Sequence, residues 1–264
     1  MQWPVPPFPT KMVQGNVGII TSSANTKSSY STLLSALPAP ASWVNIGTNA
    51  ITNAGDRGAI MDLAIGGAGS ETIVAADLVI GYRWNQGTLF PLHIPAGATL
   101  RARFATPLSF MNIQFRATAY IGEPDSGLAA PGRITTYGAD AANSGGTAIT
   151  PSGTQSVKGS YVQLTAATTA PIHAMMVMAQ CTGSSPSAGL YAVDIAVGGS
   201  GAETIVLPDQ VMQVETTGYL SPLSPQFVPC SLSIPSGVRL SARCAVLSGN
   251  ISTPIEVAVY GFTY

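Results

Sequence analysis

Apolar and polar residues alternate in short runs along most of this chain, and turn residues separate the runs. From residue 20 onward the pattern has a period of two, and helix-length amphipathic patterns are almost absent. One face of the strand predicted at residues 191–197 carries Tyr191, Val193, Ile195 and Val197. Residues 59–65 alternate in the same way. The pattern therefore predicts an all-β fold.

Two blocks of sequence occur twice, in the same order. DLAIGGAGSETIVAADLVIG at residues 62–81 returns as DIAVGGSGAETIVLPDQVMQ at residues 194–213, with 11 of 20 positions identical. LHIPAGATLRARFA at residues 92–105 returns as LSIPSGVRLSARCA at residues 232–245, with 8 of 14 identical. We therefore predict that the two copies share a fold. Since the identical residues are mostly turn glycines, prolines and apolar positions, the duplication indicates preserved architecture more than preserved catalysis.

The repeats divide the chain into four predicted segments. These are an extended proline-rich arm at 1–18, a first antiparallel β-sandwich at 19–122, a linker at 123–132 and a second antiparallel β-sandwich at 133–264. The arm has no period of 2 or 3.6, and its prolines favour an extended conformation that docks into a groove at low entropic cost. A disordered leader is the alternative, but the paired aromatics favour an arm in which Trp3, Pro4 and Phe8 anchor it against another subunit.

Smaller similarities place further segments. Residues 43–46 resemble residues 161–164, which predicts equivalent strands, and residues 139–160 have the composition of a long exposed loop. The glycine clusters GGAGSE and GGSGAE predict tight turns with positive φ. A phosphate-binding loop would need a following helix and a lysine, and the sequence shows neither.

The turns IPAG at 94–97 and IPSG at 234–237 predict hairpins, because proline and glycine occupy their preferred turn positions. The hairpin register would place Phe90 opposite Phe104 in the first copy and Cys230 opposite Cys244 in the second. The absence of a visible secretion signal favours free thiols, although a late cross-link between these two cysteines stays open.

Composition excludes several partners. Charged residues make up 9% of the chain and the net charge is −1, so there is no basic field for a nucleic acid. No apolar run reaches the roughly 18 residues of a membrane helix, and the amino-terminal sequence does not resemble a secretory signal. A surface with so few charges suits close packing against other proteins.

The sequence offers little for catalysis. The only histidines are His93 and His173, neither beside a candidate nucleophile, and no spacing fits a metal site or a cofactor. The acids of the repeat occur once per copy, which argues against a single catalytic pair and favours a structural use. Asp62 and Asp194 would either accept hydrogen bonds from backbone N–H groups at a strand or turn end or pair with the shared Arg103 and Arg243. A glycan-degrading enzyme stays a third possibility and would need two acids about 5 to 9 Å apart.

Tandem β modules with DLAIGGAGSETIV and LHIPAGATLRARFA motifs, low charge and a proline-rich arm resemble the surface proteins of tailed-bacteriophage virions. These are capsid decoration (cement) or fibre-type proteins built of jelly-roll sandwiches, and the resemblance covers residues 20–264. It implies a non-enzymatic homotrimer that binds major capsid or tail proteins and reinforces the virion surface after assembly in the host cytoplasm.

The alternative is a receptor-binding tail fibre or adhesin module that recognises host surface glycan. Exposed loop aromatics would carry that role, with Tyr82, Trp84 and Tyr219 as candidates. Fibre proteins commonly have coiled-coil heptads, a collagen-like shaft or clustered histidines, which this sequence lacks. This favours decoration of the particle.

Overall fold

The protein is described by a computed structural model. Its backbone is described for residues 11–20, 23–52, 59–80, 87–109, 112–121, 132–181, 189–214 and 227–264, and its side chains for all of these except 20, 48–52, 181, 214 and 227–232. The described residues form strands, turns and bends, and none of them forms a helix. The predicted all-β class is confirmed.

Seventeen strands follow one another along the described chain. The first eight are β1 (Lys11–Ile20), β2 (Ser31–Leu34), β3 (Ala41–Thr52), β4 (Ala59–Ile65), β5 (Thr72–Ile80), β6 (Thr88–Ile94), β7 (Leu100–Ala105) and β8 (Asn112–Ile121). The other nine are β9 (Arg133–Tyr137), β10 (Thr147–Ile149), β11 (Val162–Thr165), β12 (Ile172–Cys181), β13 (Gly189–Val197), β14 (Thr204–Val214), β15 (Phe227–Ile234), β16 (Leu240–Gly249) and β17 (Ile255–Thr263).

The two halves of the chain have the same strand order. In the first half, β1-β8-β3-β6 and β2-β7-β4-β5 form two facing sets of four strands. In the second half, β9-β17-β12-β15 and β11-β16-β13-β14 repeat that order, with β10 as an extra strand beside β17. Eight strands arranged in this way form a jelly roll. The chain is therefore two tandem jelly-roll sandwiches.

The boundary of the predicted arm needs correction, because residues 11–18 belong to β1. β1 pairs along its whole length with β8. Its alternation is hard to recognise because Gly15 occupies one of the inward positions, where a Cβ atom would lie 1.8 Å from the carbonyl oxygen of Leu33. Residues 1–10, which include the proposed anchors of the arm, lie outside the described residues.

The IPAG and IPSG turns are not hairpins, which corrects a second prediction. Gly97 and Gly237 have the expected positive φ, 75° and 81°. The strands that they join nevertheless lie in different sheets, since β6 pairs with β3 whereas β7 pairs with β4 and β2. Phe90 and Phe104 are both fully buried and approach the core from facing sheets. Turn residues determine how the chain reverses but not which strand it then pairs with.

The same correction applies to the second copy. β15 pairs with β12, whereas β16 pairs with β11 and β13, so Cys230 and Cys244 are not opposite each other on adjacent strands. Cys244 is fully buried, and the side chain of Cys230 lies outside the described residues.

Two further sequence comparisons are corrected by the topology. β11 occupies the place of β2, so residues 161–164 are equivalent to residues 30–33 and not to 43–46. The segment 139–160, predicted as a long exposed loop, contains β10 and the fully buried Ser144.

The linker predicted at 123–132 lies outside the described residues except for its last residue, so the domain boundaries stay predictions.

One sheet runs through both sandwiches. β5 of the first half pairs in parallel with β9 of the second, with Ala75 beside Ile134 and Ala76 beside Thr135. The joined sheet contains nine strands, counting β10. A parallel contact of two residue pairs is short, so side-chain packing must supply most of the adhesion between the halves.

The core consists of two apolar clusters that share β12 and β17. Met176 and Tyr260 pack into the first cluster, among the buried residues of β1 to β8. Val177 and Val259 point the opposite way into the second cluster, with Tyr191, Val193 and Ile195 of β13. Both faces of β12 and β17 are therefore buried, as in a parallel-sheet strand, and this explains the nearly continuous apolar sequence of the two strands.

Candidate functional site

The most distinctive polar feature is a buried ion cluster on the outer face of the first sandwich. Asp62 lies on β4 between Met61 and Leu63, which face the first core, so its own side chain points away from that core. Its Oδ2 atom accepts a hydrogen bond from Nε of Arg103 at 2.8 Å, and its Oδ1 atom lies 2.5 Å from Nζ of Lys27. The Asp62 side chain is only 1% exposed.

Asp77 completes the cluster through an unusual backbone conformation. The ladder between β4 and β5 is irregular around Asp62, and Asp77 on β5 has a positive φ of 54°. This rotation directs its backbone N–H to Oδ1 of Asp62 at 2.9 Å, while its own carboxylate lies 2.6 Å from Nζ of Lys27. Left-handed backbone is tolerated by aspartate better than by most residues.

A loop covers the cluster and is fastened to β7. Tyr30 stacks on Arg103, whose guanidinium carbon lies 4.6 Å from the ring centroid. The backbone N–H of Ser28 donates to the carbonyl oxygen of Phe104 at 2.9 Å. Burial raises the pKa of Tyr30 above its usual value.

The second sandwich contains the same cluster, residue for residue. Asp194 accepts hydrogen bonds from Arg243 at 2.9 Å, from Lys158 at 2.6 Å and from the backbone N–H of Asp209 at 2.9 Å. Asp209 also has positive φ, 46°, and Arg243 lies 4.5 Å from the ring centroid of Tyr161. The covering loop is again fastened by its backbone, here to Cys244.

The central carboxylates are held in the ionised form. Burial acts to raise the pKa of Asp62, but the hydrogen bonds from Lys27, the Asp77 backbone and Arg103 outweigh it and hold the pKa below its usual value. For Asp194, burial is again opposed and outweighed, chiefly by the hydrogen bonds from the Asp209 backbone and Lys158, so its pKa is also lowered. Neither group is suited to donate a proton near neutral pH.

The structure thus places Asp62 beside Arg103 and Asp194 beside Arg243, and it buries the two carboxylates while the arginines stay 31% and 28% exposed. Sequence reasoning missed the lysine and the tyrosine of each cluster. The signal was present as a third repeat, Lys-x-Ser-Tyr, at residues 27–30 and 158–161. The motif is only four residues long, and it lies just before the short strands β2 and β11. Residues 161–164 resemble residues 43–46 in sequence, which conceals their equivalence to residues 30–33.

A second ion pair fastens the glycine turn in each copy. Glu71 accepts a hydrogen bond from the backbone N–H of Gly69 and lies 3.3 Å from Arg101. Glu203 accepts one from Gly201 and lies 3.0 Å from Arg239. Both copies form a Glu–Arg ion pair beside the glycine turn, but Arg101 and Arg239 come from different positions of the repeat. The conformation of the turn is therefore kept in both copies, although the position of the arginine is not.

One buried carboxyl group has no cation among its described contacts. Glu256 on β17 is 9% exposed and accepts hydrogen bonds from the side-chain amide of Gln180 and from the backbone N–H of Gly146. Burial raises its pKa above the usual value, the negative charge of Asp140 acts in the same direction, and the two hydrogen bonds oppose them. Its side chain points towards the face of β17 that packs on the first sandwich.

We expect the raised pKa of Glu256 to make the protein more stable as pH falls from 7 towards 4.5. Between the ordinary pKa of 4.5 and the raised one, the folded state binds more protons than the unfolded state, so added protons favour folding. Melting temperature measured across this range should rise by about 2–4 °C for each kcal/mol gained.

The matched control is Glu256→Gln, which stays neutral and should remove this rise. Below pH 3.8 both proteins should lose stability, because the lowered pKa values of Asp62 and Asp194 then work in the opposite direction. Identical melting curves for the two proteins between pH 7 and 4.5 would contradict the prediction.

The remaining candidate residues are scattered. His93 is exposed, and His173 is half-buried, with Nδ1 3.4 Å from Oγ of Ser233. Burial raises the pKa of Cys244 to about 11, so its thiol is not a nucleophile at neutral pH. The aromatic residues proposed to bind glycan, Tyr82, Trp84 and Tyr219, lie outside the described residues.

The described part of the chain contains neither a metal-binding cluster nor a membrane-spanning helix. No group of three or more His, Cys, Asp or Glu side chains there is placed to hold a metal ion. No helix there has the length and apolarity needed to cross a membrane.

No protein-family model and no curated protein matches the chain in sequence. Similar solved structures include the STIV MCP, with a TM-score of 0.39, 9% identity and 96% of each chain covered. PNGase F, a glycosylasparaginase from Flavobacterium meningosepticum, has a TM-score of 0.38 and 10% identity over 95% of this chain and 96% of that one. The major capsid protein P2 from bacteriophage PM2 has a TM-score of 0.33 and 10% identity over 96% and 98%. Likenesses this weak assign neither a family nor an activity to this chain.

Proposed function

We propose that this protein is a non-enzymatic structural component of a virus particle and reinforces the capsid or tail surface through protein contacts. The observation that carries the proposal is the duplicated ion cluster. In both copies the same five side chains are used to hold a covering loop on the sandwich, and their central carboxylates are ionised and paired. The two copies thus share an ion cluster that fixes the covering loop and makes each sandwich rigid.

The distribution of charge supports the same conclusion. Of the 11 Lys and Arg residues in the chain, six take part in ion pairs within the two sandwiches: Lys27, Arg101, Arg103, Lys158, Arg239 and Arg243. The remaining surface is therefore even poorer in charge than the composition indicates. Such a surface loses little solvation free energy when it packs against another protein.

The finer assignments follow from the resemblance to tailed-phage surface proteins. The protein would form a homotrimer on major capsid or tail proteins, assembled in the host cytoplasm. Its amino-terminal arm would insert Trp3 and Phe8 into a neighbouring subunit, where each aromatic side chain could bury about 150–250 Å².

The two competing functions lack comparable support. An acid catalyst needs a carboxyl group with a raised pKa that substrate can reach. Among the described carboxyl groups Glu256 has the raised pKa, but it is only 9% exposed and is engaged by Gln180 and the backbone of Gly146. Glycan recognition by a fibre-type protein stays a prediction, since its candidate aromatics lie outside the described residues.

The proposed location can be tested by imaging. We expect gold-labelled antibody against the purified chain to decorate the surface of particles from cells that encode it, and labelling of head or tail would distinguish the two locations. Particles from a deletion of the gene serve as the control. Finding the chain only in the particle-free fraction would contradict the proposal.

A further inference from the structure

Two equivalent strands of the repeat differ in how they are covered. β5 and β14 occupy the same place in their sandwiches, each at the end of the order β2-β7-β4-β5 or β11-β16-β13-β14. Val79 on β5 is fully buried, whereas its repeat counterpart Val211 on β14 is 54% exposed. Ile205 on β14 is also exposed, by 41%. We refer to Ile205 and Val211 as the β14 edge.

The second sandwich provides the cover over β5. β9 pairs with its edge, and the hydroxyl of Thr136 donates to the carbonyl oxygen of Ala76 at 2.6 Å. On the outer face of β17, Tyr260 donates its hydroxyl to the carbonyl oxygen of Val79 at 2.5 Å. Its ring also packs edge-on against Phe90, with centroids 5.8 Å apart. A strand edge and a tyrosine together close this side of the first sandwich.

The first sandwich contains equivalent elements on β1, β3 and β8. β1 holds the place of β9 at the end of its own sheet, within the described strands. In Ala-Thr-Ala-Tyr of β8 and Val-Ala-Val-Tyr of β17, Tyr120 is the counterpart of Tyr260. Trp43 pairs with Tyr120 in register, just as Met176 pairs with Tyr260. Met12, 55% exposed, pairs with Tyr120 from the other side.

We propose that the surface formed by Met12, Trp43 and Tyr120 docks on the β14 edge of a second copy of this chain. The contact would reproduce between molecules the junction that β9 and β17 make within one molecule, with Tyr120 facing Val211 as Tyr260 faces Val79. Because the two surfaces differ, the contact is heterologous, and repeating it produces a closed ring or an open chain. The inference rests on the internal duplication and does not depend on the virion assignment.

The contact between copies is weaker than its internal template. Pro208 replaces Ala76 on β14, so the carbonyl acceptor remains but the backbone N–H is lost. Met12 occupies the place of Thr136 and cannot donate a hydrogen bond. Apolar contact between Met12, Trp43 and the β14 edge must then supply most of the affinity, and association should depend on concentration.

The test uses one glutamate on each surface, Met12→Glu and Val211→Glu, with Ile251→Glu as the matched control. Ile251 is 37% exposed and lies in the turn between β16 and β17, outside both surfaces. In sedimentation velocity at micromolar to millimolar concentration, the unsubstituted chain and the Ile251→Glu variant should associate equally. Each of the other two variants should weaken self-association at least tenfold while retaining the circular dichroism spectrum and melting temperature of the unsubstituted chain.

Mixing the two impaired variants gives a decisive result. Each retains one intact surface, so an equimolar mixture should form dimers that grow no further. A mixture that stays monomeric, an unsubstituted chain that stays monomeric over the whole range, or equal weakening by Ile251→Glu would each overturn the proposal. Failure here would leave antibody labelling of particles unaffected, so the two proposals are tested separately.

Discussion

Replacing Asp62 with alanine should lower the free energy of unfolding by about 3 kcal/mol. Removing one partner of a buried ion pair leaves the other charges uncompensated, at a typical cost of about 3–5 kcal/mol. The lower end applies here because the side chains of Lys27 and Arg103 are 23% and 31% exposed and regain some water. Asp194→Ala should behave in the same way, and urea denaturation measures both losses.

The matched control for this prediction lies in the same cluster. The Asp77 and Asp209 side chains contact the same lysines but are 39% and 71% exposed. Their replacement by asparagine, which also tolerates positive φ, should cost about 1 kcal/mol or less, as for other solvent-exposed ion pairs. Equal losses for Asp62→Ala and Asp77→Asn would show that burial of the central carboxylate is not what makes the cluster important.

Replacing Tyr260 with alanine should cost about 3–5 kcal/mol, as for other large aromatic residues removed from a core. Tyr260 is fully buried in the first core although it belongs to the second sandwich, so its loss should weaken the junction between the two. We expect guanidinium denaturation, followed by fluorescence and by circular dichroism, to show a lower midpoint and two separated transitions.

Two further variants separate the causes. Tyr260→Phe keeps the ring and loses the hydroxyl, with its hydrogen bond to Val79 and its contact with Sδ of Met178, which should cost about 1–2 kcal/mol. Tyr120→Ala, on the half-buried counterpart, should cost less than Tyr260→Ala at concentrations where the protein is monomeric. Unchanged cooperativity in Tyr260→Ala together with a loss below about 1 kcal/mol would contradict a role for Tyr260 at the junction.

The sequence predicted those features that depend on local pattern. Alternation identified the inward face of β13, and glycines identified turns whose φ values are positive. Pairing between Asp62 and Arg103 was one of the two uses predicted for the repeated acids, beside hydrogen bonds from backbone N–H groups. In the structure they are direct neighbours on β4 and β7.

The features that it did not predict depend on which surfaces meet across the fold. A Pro-Gly turn can join two strands of one sheet or cross to the facing sheet, and the free strand edges decide between them. Phe90 and Phe104 flank such a turn and lie on strands of different sheets. β1 was missed because Gly15 replaces an apolar side chain where the backbone of Leu33 approaches. The lysines of the ion clusters lie on loops, where alternation gives no information about direction.

The sharing of β17 between the two cores has a consequence for the order in which the chain can fold during synthesis. The first eight strands leave the ribosome long before β17, yet the first core contains Ala258, Tyr260 and Phe262 of that strand. Until β17 has been synthesised and has packed, the apolar side of the first sandwich near Val79 and Phe90 stays uncovered and exposed to chaperones or to unwanted partners. Completion of the first sandwich is therefore timed by translation of the second, and a nascent chain stalled before residue 255 would lack both a finished core and a finished junction.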